Sequence, residues 1–93
     1  MIRSFKDIEA QELFEGGVES RRLRPVRAIV LRKLDMLDAA RSLGDLRSPP
    51  GNRLEALAGN RKGQHSIRVN DRLRVCFVWR DDGVHAVEIV NYH

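Results

Sequence analysis

The residues best equipped for chemistry lie in the last third of this 93-residue chain. There "NRKGQHSIRVNDRLRVCFVWR", residues 60 to 80, alternates apolar and polar positions and fills many of the polar ones with arginine. Arg61, Lys62, Arg68 and Arg74 are cationic donors suited to phosphate oxygens, and such groups also stabilise the charge that builds on a phosphate during displacement. Arg61 and Lys62 sit between two glycines in "GNRKG", where backbone freedom lets long cations reach a bound backbone. The chain ends in Asn91-Tyr92-His93, and a phenol and an imidazole are groups that move protons or orient a reacting atom. Alternation carried past Val90 puts Tyr92 on the same side as the arginines.

Whether these groups share a face depends on strand register. Three strands are predicted, Gln64 to Val69, Leu73 to Trp79 and Val84 to Val90. A two-residue loop at Asn70-Asp71 would oppose Ile67 to Arg74 and mix cations with core on both faces. A three-residue loop, Asn70-Asp71-Arg72, instead opposes Val69 to Leu73, Ile67 to Val75 and His65 to Phe77. A three-residue loop of Asp81-Asp82-Gly83 continues the pattern, with Phe77 beside Val87, Val75 beside Ile89, Cys76 beside Glu88 and Arg74 beside Val90. One face is then apolar, and the other carries Ser66, Arg68, Arg74, Cys76 and Glu88. Arg68 opposite Arg74 is unfavourable by about 0.2–1 kcal/mol, so stability does not explain it. The expectation is that a phosphate, or Glu88 in its absence, sits between the two.

The remaining elements must cover the apolar face. "MIRSF" reads as a short first strand. "KDIEAQELFEGG" reads as a helix with Asp7 as N-cap, Ile8, Leu13 and Phe14 on one side, and Gly16-Gly17 as its stop. Pro25 to Leu43 reads as a second helix with Val26, Val30, Leu34 and Leu37 as its stripe, Arg27, Arg32, Lys33 and Arg41 outside it, and Gly44 after it. "SPPGN" is too short to separate domains, and "RLEALAG" reads as a short strand or extended segment. The length suits a single domain over residues 1–93.

Charge narrows the function. The chain carries +4 overall, but residues 21 to 80 hold fifteen basic and five acidic side chains, while both ends are acidic. A basic block of this kind suits nucleic acid. With aromatics confined to Phe5, Phe14, Phe77, Trp79 and Tyr92, a base-stacking platform is not indicated. Cys76 is the lone cysteine and reads as structural, consistent with a reducing cytoplasm. No apolar run of signal or membrane length is present at the start.

Taken together, "L-x-x-L-x-G-x-R-K-G-x-x-S-I-R-V-N", from Leu54 to Asn70, and the terminal "Y-H" resemble the HigB branch of the RelE/ParE toxin superfamily. The likeness extends over nearly the whole chain, from "IRSFKD" through "PPGNRLEALAGNRKGQHSIRVNDRLRVCFVW" to the last strand. It implies an α+β, RelE-like fold, with two N-terminal helices on one face of a small, mainly antiparallel twisted sheet made of the first strand and a three-strand meander. It also implies a toxin of a type II toxin-antitoxin system, an mRNA endonuclease working on the ribosome with no metal or organic cofactor. Carried over by motif, Tyr92 and His93 match the family's catalytic pair, with Arg74, Asn91 and Glu55 as further catalytic candidates. Arg53, Arg61, Lys62 and Arg68 are the candidate RNA-binding cations.

Two departures bear on the general base. Asn91 stands where many relatives have Asp, and Glu55 stands where some have His. The implied partners are a HigA-like helix-turn-helix antitoxin, mRNA and 16S ribosomal RNA in the A site, and operator DNA reached through the antitoxin, without a membrane. A ParE-like toxin acting by binding, for example to DNA gyrase, and an inactive nucleic-acid-binding member are the competing readings.

Overall fold

In the computed structural model, which describes residues 1 to 91, two helices lead through a series of short turns into a four-stranded antiparallel sheet. The first helix, α1 (Ile8–Gly16), starts where Asp7 Oδ1 accepts from the backbone N–H groups of Glu9 (3.0 Å) and Ala10 (3.4 Å). It stops at Gly17, whose left-handed backbone (φ 69°) returns its N–H to Leu13. Ala10 and Leu13 turn inward, and Phe14 packs against Phe5 with ring centroids 5.9 Å apart. Ile8, expected on that face, is 63% exposed. Five residues from Leu13 places it well round the helix, and the i, i+3, i+4 set of Ala10, Leu13 and Phe14 takes the inward stripe.

Pro25 lies in a 3₁₀ turn (Arg24–Val26) that feeds α2 (Arg27–Ala39). Val30, Leu34 and Leu37 are buried as predicted. Two expectations fail here. Lys33, assigned to the outer basic face, is buried, and the helix ends at Ala39 rather than Leu43. The early stop has a local cause: Asp45 accepts from the N–H groups of Arg41 (2.9 Å) and Ser42 (3.1 Å), which begins a new turn (Leu43–Arg47) instead of continuing the helix. These bonds hold the Asp45 carboxyl below its ordinary value.

The sheet runs β1 (Glu55–Ala56), β2 (His65–Arg68), β3 (Leu73–Arg80), β4 (Gly83–Asn91), in that spatial order. "RLEALAG" thus supplies a two-residue edge strand. The first hairpin has the predicted register, with His65 opposite Phe77, Ser66 opposite Cys76, Ile67 opposite Val75 and Arg68 opposite Arg74. Asn70 closes its loop by accepting from the N–H groups of Arg72 and Leu73, both at 2.8 Å.

In the second hairpin, Val75–Ile89, Cys76–Glu88 and Arg74–Val90 pair as expected, but the loop does not. Arg80 pairs with Gly83 around two residues, and a bulge at Ala86 (φ 53°) shifts the register back by one. Gly83 (φ 139°) is required for a second reason: a Cβ there would overlap the carbonyl oxygen of Met1.

The first segment follows β4 in parallel through isolated bridges, Ile2 with Val84 and Phe5 with Val87, and is not a regular strand. The bulge between those two anchor points breaks the ladder, and Ser4 Oγ takes the Ala86 N–H at 2.9 Å. Under α1 and α2, Leu13, Leu34, Leu37, Ile67, Val75, Phe77 and Val87 form the fully buried core. No helix of the described residues is long and apolar enough to cross a membrane.

Candidate active site

Strand alternation sends Ser66, Arg74 and Cys76 away from the helices, yet they are only 0%, 7% and 3% exposed. The segment from Arg53 to Arg61, including β1 and the turn Gly59–Arg61, folds over this side. It leaves a cleft of about 330 Å³ lined by Leu57, Ala58, Asn60, Arg61, Ser66, Arg74, Cys76, Val90 and Asn91.

Arg74 is held on several sides. Its Nε donates to Ser66 Oγ at 2.7 Å, its Nη2 donates to the Arg53 carbonyl at 2.7 Å, and Glu55 Oε1 lies 3.5 Å from Nη2. A guanidinium fixed in this way presents its charge to the cleft without having to reorganise. Arg61 is placed by the turn, with Nη1 donating to Glu88 Oε1 (2.7 Å) and to Gln64 Oε1 (3.1 Å). The bond to Glu88 raises the Arg61 pKa above its ordinary value, against the opposing effect of burial.

These contacts correct the expectation for Glu88. It does not lie between Arg68 and Arg74; it serves Arg61, with Lys6 3.9 Å away. Arg68 avoids its cross-strand partner by turning to Asp71 in the hairpin loop. The repulsion is relieved by separation onto different acceptors, which requires no bridging anion.

Of the residues singled out in the sequence, Arg61, Arg74 and Asn91 come together around the cleft, and Glu55 stands beside Arg74. Lys62 and the side chain of Arg53 are exposed and, like Arg68, do not line it. Arg53 contributes its backbone carbonyl instead. Tyr92 and His93 lie outside the described residues. Ser66 and Asn60 were not named as site residues; the register that sets Arg68 opposite Arg74 also makes Ser66 the diagonal neighbour of Arg74, and that signal was present.

The strand leading to the C-terminus is fastened at its outer edge by side chains. Asp7 Oδ2 accepts the Ile89 N–H (3.1 Å) and Arg22 Nη1 donates to the Ile89 carbonyl (3.1 Å), while Arg22 Nη2 meets Asp7 Oδ2 at 2.8 Å. The pair imitates a neighbouring strand over one residue. Burial works against the Arg22 charge, but the bonds to Glu9 and Asp7 outweigh it and raise the pKa.

Burial pushes the Cys76 thiol up, with Arg61 opposing, and the side chain forms part of the cleft wall. Among the described residues no group of three or more His, Cys, Asp or Glu side chains is placed to hold a metal ion.

Two helices on one face of an antiparallel sheet, with an arginine-lined cleft on the other, form the α+β arrangement of a RelE-like toxin. The pattern of the HigB-like toxins, RelE-like toxins of the type II toxin-antitoxin system HigB, matches residues 3–93, and the chain belongs to that family. It is 46% identical over 83 residues to Toxin HigB-1 of Vibrio cholerae serotype O1, covering 87% of this chain and 86% of the relative. It is also 40% identical over 57 residues to an uncharacterized protein of Haemophilus influenzae, covering 61% of this chain and 56% of that one. As a toxin of a type II system, it has a protein antitoxin as partner.

Proposed function

We propose that this toxin is an endonuclease that cuts mRNA on the translating ribosome, with the cleft around Arg61 and Arg74 as the seat of the scissile phosphate. The observation that carries this reading is the meeting of two arginines at a cleft bordered by Asn91, the residue immediately before Tyr92 and His93. In the reaction, the ribose 2′-oxygen attacks the adjacent phosphorus, forming a P–O2′ bond while the P–O5′ bond breaks. The 2′-hydroxyl proton passes to a base and the departing 5′-oxygen gains a proton, leaving a cyclic phosphate and a 5′-hydroxyl.

Arg74, already oriented by Ser66 and the Arg53 carbonyl, stabilises charge on the phosphoryl oxygens, and Arg61 holds the flanking backbone. Tyr92 and His93 act in proton transfer and substrate orientation, Asn91 offers a hydrogen-bonding amide in place of a carboxylate, and Glu55 is a carboxylate within reach of the Arg74 charge. Positioning of mRNA by the ribosome supplies part of the acceleration. Arg53, Lys62 and Arg68, outside the cleft, meet neighbouring phosphates of mRNA or 16S ribosomal RNA. The antitoxin is of the helix-turn-helix kind and carries the pair to operator DNA, and the toxin works in the cytoplasm as one domain.

The test is a translation reaction on a defined mRNA with the purified protein, followed by mapping of transcript ends. New 5′-hydroxyl ends that vanish with Arg74→Ala and with truncation after Asn91 support the reading. Intact transcripts in that reaction, with growth arrest and accumulating DNA breaks when the protein is expressed in cells, overturn it in favour of a toxin that acts by binding.

A further inference from the structure

The four polar or charged residues buried among those described are Lys33, Asn52, Ser66 and Arg74, and they form one connected series. Lys33 donates from α2 to Asn52 Oδ1. The Asn52 amide nitrogen donates to the carbonyls of Leu46 (3.1 Å) and Ser48 (3.3 Å), and its backbone N–H to that of Pro49 (2.9 Å). The side chain is 0% exposed, so it knots the loop 46–52 from within. The next residue, Arg53, is held at φ 46°, ψ 55°, a left-handed conformation unfavourable for arginine, and its carbonyl accepts Arg74 Nη2 at 2.7 Å. Arg74 Nε then reaches Ser66 Oγ.

From this continuity we infer that Lys33 and Asn52 are positioning residues: they hold the loop so that the Arg53 carbonyl aims the Arg74 guanidinium at the cleft. Lys33 is the link that ties the aim of Arg74 to α2, on the opposite side of the molecule's core. Burial, with Arg32 and Arg68 adding to it, pulls the Lys33 ammonium below its ordinary value. A lysine kept inside at that cost, on an amide rather than a carboxylate, is poorly explained by stability alone. For Arg53 the assignment adds a role for the backbone carbonyl to the phosphate contact proposed for the side chain.

The inference rests on the nuclease reading only for its effect on catalysis; the aim of Arg74 is testable without it. Lys33→Met keeps the aliphatic length and removes the donor, and Asn52→Asp keeps a partner for Lys33 but removes the donor to Leu46 and Ser48. Two readouts are followed on the purified full chain: exchange of the Arg74 Nε–H by nuclear magnetic resonance, and single-turnover mRNA cleavage on ribosomes.

Both variants are expected to speed Nε–H exchange by about ten-fold or more through loss of local order. They should also lower the maximal cleavage rate by about ten-fold while the half-saturating ribosome concentration moves less than about two-fold. Arg53→Gly, which accepts φ 46° and keeps the carbonyl, should leave Nε–H exchange within about three-fold of wild type. Unchanged exchange in folded Lys33→Met overturns the inference; if that variant does not fold, unchanged exchange in Asn52→Asp does so. A wild-type protein that leaves mRNA intact overturns the nuclease reading instead, and the exchange result still decides the positioning role.

Discussion

On the helix side of the sheet, Ile67, Val75 and Phe77 are cut off from water by the apolar stripes of α1 and α2. On the other side Ser66, Cys76 and Arg74 are nearly as buried, but under a loop and by hydrogen bonds, and a cleft remains. The apolar side gains free energy from every carbon it hides, with no demand on direction. The cleft side must satisfy each polar atom it hides, so its geometry is fixed by particular acceptors, and it gains orientation where the other gains stability. The helix side supplies stability, while the cleft side holds Arg61 and Arg74 in fixed directions.

The comparison makes graded predictions. The greatest loss should come from Phe77→Ala, which opens a cavity in the helix-side core and costs about 3–5 kcal/mol in denaturant unfolding. A loss below that of any cleft substitution would break the contrast. Ser66→Ala is next, since it leaves Arg74 Nε without its hydroxyl acceptor in a buried place, at about 1–3 kcal/mol, and the proposed mRNA cleavage should fall with it.

Arg61→Gln sharpens the comparison from the other side. Its side chain is about a third exposed, so its pair with Glu88 is worth no more than about 1 kcal/mol and thermal unfolding should hardly move. The proposed cleavage should drop strongly, and a large shift in unfolding would mean that Arg61 is structural.

The smallest effect concerns pH. The Cys76 thiol has its folded pKa raised above the ordinary 9.0, chiefly by burial, so the unfolded chain ionises first. Wild type should therefore lose stability relative to Cys76→Ala as pH rises through and beyond 9.0, and the difference should be constant at neutral pH and below. Parallel pH profiles for the two proteins would show that the cleft does not desolvate its wall.

Much of the cleft's backbone was legible beforehand. The pairing of Arg68 with Arg74 followed from demanding that Ile67, Val69, Val75 and Phe77 share a face, because a strand's period of two leaves few registers that segregate them. Asp7 was readable as a cap, though not its second oxygen, which serves Ile89 some eighty residues away. The bulge at Ala86 was not readable. A two-residue loop plus one extra residue produces the same pairs at Val75 and Cys76 as a three-residue loop, so side-chain pattern cannot separate them. Lys33 was misplaced because helical periodicity ranks positions by polarity, and a buried amide that accepts a lysine lies nineteen residues off.

By itself the sequence determined the α+β class, the family, the two faces and the pairing of Arg68 opposite Arg74, because these depend on periodicity and on motifs local to the chain. Only the tertiary structure decided what each cation meets. Arg68 turns to Asp71, Arg61 takes Glu88, and Arg74 is aimed by a carbonyl of Arg53 and a hydroxyl of Ser66. A long flexible side chain chooses its partner by distance in space: the hairpin loop brings Asp71 to Arg68, pairing of the strands brings Ser66 to Arg74, and the segment 53–61 brings Arg61 to Glu88 and the Arg53 carbonyl to Arg74.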